Sequence, residues 1–394
     1  MFLKMSVTGN MSRGSSLTER LLNTLNLSDA EMEPTGFESK MLESELYCGD
    51  EFVEFHTGFK VFHGYFSIIV CLFGIITNIL NIIVLTRKDM ISPTNAILTG
   101  LAVADMLVML DYLPFSVHTY ILIKYETHEE HFAYHWTLLI LFHAHFSVVC
   151  HTISIGLTIT LAVWRYIAVS LPNKNREWCN MERARIAIVS SYLFPLVFCI
   201  PVYLTFSIHS QLKTDPIAGH LYEIFVIDIS DVALAHHGLL RTINFWVYSV
   251  IVKLVPCVAL TLLSLSLIVA LYRANERKIK LVNRANSESD QRACDRTTRM
   301  LLAVLLLFLI TEFPQGIFAL LSGVLGDAFF RTCYQNFGEM MDILALINSA
   351  INFILYCTMS RQFRQTFNRL FKPRILNNWI AIPQDPHTQA TTCV

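Results

Sequence analysis

The chain has 394 residues, 54% of them hydrophobic and 15% charged, with a mean hydropathy of +0.47. Soluble domains average about 25% charged residues, so there is too little charge here to cover a water-facing surface, and a disordered chain is excluded for the same reason. A net charge of -1 and a pI near 6.9 give no basic field to recruit nucleic acid, which leaves a membrane chain.

Residues 1–60 read as a polar, largely disordered tail. It carries two glycosylation sequons, Asn10-Met11-Ser12 and Asn26-Leu27-Ser28. Met1–Leu27 lacks the 7–15-residue apolar core of a signal peptide, so the first span is expected to act as the insertion signal. Residues 61–359 then hold seven apolar stretches, each long enough for the roughly 20 residues a helix needs to cross a bilayer. They fall near Val61–Thr86, Ser92–Ile123, Thr137–Ser170, Arg183–Phe206, Thr242–Tyr272, Arg299–Leu325 and Gly338–Met359, with Pro195 and Pro201 interrupting the fourth. The runs are continuous and do not alternate, which predicts helices and not a barrel, the two solutions that satisfy every backbone group in lipid.

In residues 360–372, Phe363, Phe367, Leu370 and Phe371 form one apolar stripe with basic residues on the other faces, as expected for a short helix lying on an anionic inner leaflet. Residues 373–394 form a cytoplasmic tail ending Thr392-Cys393-Val394, similar to the ends that add a strand to a PDZ sheet. The expected fold is therefore an all-α membrane protein, a seven-transmembrane helix bundle with an interfacial eighth helix.

Lys and Arg set the orientation. With the amino terminus outside, the inner segments hold Arg87, Lys88, Lys174, Arg176, Arg183, Arg185, the cluster from Arg273 to Arg299, and Arg361 to Arg374, against fewer outside. The chain is expected in the plasma membrane, multi-pass, with its amino terminus extracellular.

Several motifs lie at matching depths. The first span has Gly74-Ile-Ile-Thr-Asn78 and the second Leu101-Ala102-Val103-Ala104-Asp105. The third ends Trp164-Arg165-Tyr166, followed by Pro172. Pro256 lies in the fifth, and Phe308 stands six residues before Pro314 in the sixth. The seventh has Asn348-Ser349-Ala-Ile-Asn352-Phe353-Ile-Leu-Tyr356, and Phe363-Arg364-x-x-Phe367 follows. Over about Phe59–Phe371 this pattern resembles rhodopsin-like (class A) G-protein-coupled receptors, and its phrasing is similar to invertebrate myosuppressin and FMRFamide-like neuropeptide receptors, with sex-peptide receptors a near relation. It departs at Trp164 (normally acidic), Glu312 (normally Trp) and Phe353 (normally Pro).

The resemblance implies an extracellular amidated neuropeptide as ligand, a heterotrimeric G protein of the Gi/o type, arrestin and membrane lipid as partners, and no enzyme activity. Ionisable residues deep in a bilayer cost at least roughly 2.5–3.5 kcal/mol each, so each is a functional candidate. Asp105, Ser154, Asn348, Ser349 and Asn352 match the family's sodium pocket; a water-filled polar network without an ion is the other reading. His143, Ser147 and His151 recur every four residues, on one helix face, as ligand contacts or as core histidines bridging helices. Asp111, Glu312, Glu339 and Asp342 are candidate partners for a peptide guanidinium. Lys253 and Glu312 are read alternatively as a buried ion pair. Arg165, supported by Tyr166 and Tyr356, is expected at the G-protein contact, without the usual acidic restraint.

The family's disulfide to the second outer loop cannot form, because no Cys lies between Lys124 and Val149 or from Ile200 through Pro256. Cys48 and Cys333 both fall on the oxidising outer side, which predicts a bridge between them; two free thiols are the alternative. In the first outer loop His128, His131 and His135 with Glu126, Glu129 and Glu130 have metal-compatible spacing, although a solvated loop is the simpler reading. The chain lacks a P-loop, HExxH, CxxC and GxSxG. Leu346 stands where an opsin needs Lys, and Ser147 where an amine receptor needs Asp. A receptor for a non-peptide ligand, or a channel or transporter, remains as the alternative.

Overall fold

A computed structural model describes Cys48, residues 50–214 and 219–282 and, apart from 308, 312, 323, 326–328 and 330–332, residues 306–371. The sequons at Asn10 and Asn26, Phe308, Glu312 and the 373–394 tail lie outside the described residues.

Helix α1 spans Asp50–Leu85 and so starts well ahead of Val61, inside the segment expected as tail. Helix α2 (Pro93–Ser116) starts where Ser92 accepts the Asn95 N–H at 3.2 Å, with Pro93 in its first turn. Its path continues through a π turn, Val117–Ile121, and a 3-10 turn, Leu122–Lys124. Helix α3 is Tyr134–Ser170. Helix α4 (Met181–Phe198) is capped by Asn180, which accepts the Arg183 N–H at 2.9 Å. Pro195 sits inside α4; the break falls at Cys199, and Ile200–Thr205 restarts with Pro201 in its first turn. Helix α5 is a rod of Asp231–Trp246, a π-helical stretch Val247–Leu254, and Val255–Val282. Helix α6 is Leu309–Ser322, α7 is Gln335–Met359 and α8 is Arg361–Phe371. Among the described residues six helices are long and apolar enough to cross a membrane; α6 is shorter, because residues 299–305 of the expected sixth span lie outside them.

The bundle is held by close packing of α1 on α2 and α7, and of α3 on α2 and α5. Gly74 explains the α1 motif: a Cβ there would lie 2.0 Å from Met109 Sδ and 3.2 Å from the Ala350 Cβ. With that approach open, Asn78 Nδ2 donates to the carbonyls of Gly74 and Ser349, each at 3.0 Å. One apolar cluster, including Val84, Leu101, Leu157, Leu161 and Tyr356, lies toward Arg165; a second, including Cys71, Met109, Phe115 and Leu346, lies toward the opposite end. Large apolar side chains such as Ile69, Ile76, Leu193, Val197 and Leu262 are exposed. A water-soluble monomer rarely tolerates so much exposed apolar surface; a lipid-embedded one requires it.

The sequence reading expected an all-α fold and assigned no element between Phe206 and Thr242, and here the structure adds strands. Between α4 and α5 lies an antiparallel hairpin of β1 (Phe206–Thr214) and β2 (Leu221–Ile229), in register from Phe206↔Ile229 to Thr214↔Leu221. Gly219, at φ +70°, supplies the left-handed backbone before β2. The hairpin docks because the Phe225 N–H donates to the Phe132 carbonyl and Thr137 Oγ1 donates to the Phe225 carbonyl, both at 2.9 Å.

Helix α8 also differs in detail from a helix that rests its whole stripe on lipid. Phe363 is buried and packs with Phe353 and Tyr356, Phe367 packs on Phe353, and Phe371 is exposed. Arg364 Nη1 donates to the Cys357 and Thr358 carbonyls at 3.0 and 2.8 Å, satisfying the end of α7. Arg369 pairs with Asp89, and Gln362 Nε2 donates to the Asp89 carbonyl at 2.8 Å.

Candidate functional site

A cavity of about 620 Å³, solvent at its mouth included, opens between α2, α3, α5, α6 and α7. Ser147 and His151 of α3, Tyr248 and Lys253 of α5, Gln315 of α6 and Asp342 of α7 form its polar wall, with Val108, Val148, Val252 and Leu346 as apolar neighbours. Lys253 is almost fully buried. Its Nζ donates to Gln315 Oε1 at 2.8 Å and lies 5.9 Å from the Tyr248 ring centroid. Gln315, next to Pro314, is thus a partner of Lys253 that the sequence reading did not foresee; Glu312 lies outside the described residues.

The remaining predicted ligand residues form interhelical pairs. His143 Nδ1 lies 2.6 Å from Asp111 Oδ2, linking α3 to α2, and the His143 ring stacks on Phe115 at 4.1 Å. Both residues are buried. Glu339, also buried, lies with Oε2 2.6 Å from His56 Nε2 on α1. A carboxylate this deep needs a polar partner: His143 hydrogen-bonds Asp111, and His56 stands beside Glu339 at ion-pair distance. Of the predicted set, Ser147, His151 and Asp342 therefore line the cavity, while Asp111, His143 and Glu339 do not. His63, whose Nε2 lies 3.0 Å from the Tyr112 hydroxyl, went unnoticed as a lone polar residue on an apolar helix, and His56 because it falls in the segment expected as tail.

Deeper in the bundle, Ser154 Oγ donates to Asp105 Oδ1 and Asn352 Nδ2 donates to Asp105 Oδ2, each at 3.0 Å. Ser349 is buried and Asn348 is half-buried. The Asn352 Oδ1 is buried without a hydrogen-bond partner. Carboxylate, hydroxyl and an unsatisfied amide oxygen are the donors a hard cation takes, so this set fits sodium.

At the other end of α3, Arg165 and Tyr166 are half-buried and Tyr356 is buried. Trp164 packs against the apolar cluster there, and Cys179 Sγ contacts its carbonyl at 4.0 Å. Burial pushes the Cys179 thiol up from its ordinary value, while Arg165 and Arg183 pull it down. Both motif departures, Trp164 and Phe353, thus act as packing residues.

Cys48 and Cys333 are disulfide-bonded with Cα atoms 5.6 Å apart, tying the residues before α1 and α7 together. Cys71, Cys150, Cys199 and Cys257 are buried and Cys357 half-buried, none of them in a disulfide.

A seven-helix bundle with an Asp–Asn–Ser centre, an Arg-Tyr end on α3 and a packed eighth helix defines a receptor of the G-protein-coupled class. The family described as "Serpentine type 7TM GPCR chemoreceptor Srw" matches residues 65–374. Among curated proteins, the chain is 31% identical to the G-protein coupled receptor dmsr-1 of Caenorhabditis elegans, over 84% of this chain and 72% of that one. It is 31% identical to the sex peptide receptor of Drosophila melanogaster (80% and 73% covered) and 27% identical to the Drosophila FMRFamide receptor (78% and 53% covered). The chain belongs to this family of seven-transmembrane G-protein-coupled receptors, with rhodopsin-like motifs. It is a multi-pass membrane receptor and not an enzyme, and its partner class is the G protein.

Proposed function

We propose that the chain is a plasma-membrane receptor, amino terminus outside, for an amidated neuropeptide of the myosuppressin/FMRFamide-like class, signalling through Gi/o. The names of the sex peptide and FMRFamide receptors support a peptide ligand. The observation that carries the reading is Asp342. It opens on the cavity, whereas Asp111 and Glu339 are held by His143 and His56. In this reading a guanidinium entering from the hairpin end meets the Asp342 carboxylate, and His151, Ser147 and Lys253 meet the backbone and terminal amide.

The ligand shifts a population. Lys253–Gln315 couples α5 to α6 beside Pro314, so a peptide carbonyl that takes over Lys253 Nζ releases α6 to bend. The far end of α6 then opens at Arg165, and a G protein bound there stabilises the open packing reciprocally. Asp105, Ser154, Asn348 and Asn352 would hold sodium, whose positive charge neutralises the carboxylate and favours the inactive packing.

The test is a panel of amidated peptides on cells expressing the chain, read as G-protein activation with and without pertussis toxin. Asp342→Asn should weaken an Arg-Phe-amide agonist by about 10- to 100-fold, the worth of one charge-assisted contact of roughly 1.5–3 kcal/mol. The same peptide with citrulline for Arg should show no such loss. An agonist with equal potency on Asp342→Asn refutes the assignment.

A further inference from the structure

A second cluster lies near the hairpin, and the peptide reading does not use it. His118, Glu126 and His131 bring one ligand atom each within 4.8 Å of one another, and among the described residues no other group of three does so. The backbone is built to converge there. The π turn at the end of α2 carries His118, and the 3-10 turn that follows delivers Glu126. A single helical turn, His128–His131, then presents His131. Its capping box, in which Thr127 Oγ1 accepts the Glu130 N–H at 3.3 Å and Glu130 Oε2 accepts the Thr127 N–H at 2.9 Å, fixes the entry.

The distances suit a metal. His131 Nδ1 and His118 Nδ1 lie 3.0 and 3.6 Å from the same Glu126 Oε2. Zinc bonds of about 2.0–2.2 Å place tetrahedral ligand atoms roughly 3.4 Å apart. The two imidazoles are stacked at 4.4 Å, and Trp136 stacks on His118 at 4.1 Å, holding the ring in place.

The second observation is His118 itself. Its side chain is fully buried, and neither ring nitrogen has a hydrogen-bond partner. Burying an imidazole this way is costly, and a metal bound at Nδ1 removes part of that cost.

We propose that His118, Glu126 and His131 form a transition-metal site of the zinc class, with three protein ligands and a fourth position open past the half-buried Glu126. Two imidazoles and one carboxylate suit zinc, whereas calcium and magnesium take oxygen ligands. The site differs from the loop cluster expected from spacing: His128 pairs with the Tyr222 hydroxyl at 3.2 Å, and His118 comes from a helix the loop pattern did not include. Through Phe132–Phe225 the same loop carries β2, so a bound metal braces the base of the hairpin beside the cavity mouth. The supply of metal from outside the cell rests on the proposed orientation; the site itself does not.

The test uses the purified full-length receptor without a histidine tag, and needs neither peptide nor G protein. Cobalt, and then zinc displacing it, is titrated into the receptor and read by the visible absorption of a low-symmetry cobalt centre. One equivalent should bind, and zinc should raise the thermal unfolding midpoint. The near-isosteric Glu126→Gln and the variant His131→Gln should each weaken binding at least tenfold and lose the zinc-dependent stabilisation, with His135→Gln unchanged. Absence of a cobalt signal in the wild-type chain, or equal affinity in the Glu126→Gln/His131→Gln double variant, overturns the site. Neither result bears on the peptide reading.

Discussion

His143 distinguishes a ligand contact from a structural pair, and His143→Phe separates the two. Phenylalanine keeps a ring on Phe115 but removes the nitrogen 2.6 Å from Asp111 Oδ2, leaving a buried carboxylate without that partner. Breaking such a pair from one side costs roughly 3–5 kcal/mol, and the retained stacking favours the lower figure, about 3 kcal/mol. Each kcal/mol moves the midpoint by about 2–4 °C in domains of 150–250 residues, and less as size grows. The expected drop for this larger bundle is therefore at most about 6 °C. A thiol-reactive fluorogenic dye reports it, because Cys71, Cys150, Cys199 and Cys257 are buried until the bundle opens. Asp111→Leu added to His143→Phe should recover most of the loss, since two apolar partners leave no stranded charge. A drop under about 2 °C, or a double variant no better than the single, refutes the pairing argument.

Trp164→Asp should lower ligand-free signalling per receptor at the cell surface, because it places a carboxylate beside Arg165; unchanged basal activity counts against a missing restraint. Cys48→Ser, Cys333→Ser and the double variant should lose the same stability, about 2–4 kcal/mol by the usual worth of a bridge, in a thermal melt; additive losses would mean the two thiols act separately. Replacing choline chloride with sodium chloride at constant ionic strength should weaken agonist binding to the wild-type receptor and leave Asp105→Asn flat; a sodium response that survives in Asp105→Asn removes the ion from that site.

The helices were legible because apolar runs of bilayer length leave the backbone few options. Asp105, Ser154 and Asn352 were legible through the family motifs they match, and Ser154 and Asn352 do converge on the Asp105 carboxylate. What stayed hidden depends on contacts between distant segments. Nothing local in Asp111 or Glu339 says that His143 and His56 sit opposite. The hairpin went unread: the fourth span was ended at Phe206 and nothing was assigned between it and Thr242, because the apolar alternation at Phe206, Ile208 and Leu212 is short and broken by Ser210. His118 was not singled out at all, since only the π turn brings it to Glu126 and His131. The departures at Trp164 and Phe353 were visible as letters, while their packing roles needed the neighbours Cys179, Phe363 and Phe367.

The Cys48–Cys333 bond closes most of the chain into a covalent ring of 285 residues' separation. Any single peptide-bond scission inside that ring, in whichever loop, leaves two pieces that still travel as one molecule. Such a nicked receptor would run at full length on a gel until a reductant is added, and the hidden cut would surface only then.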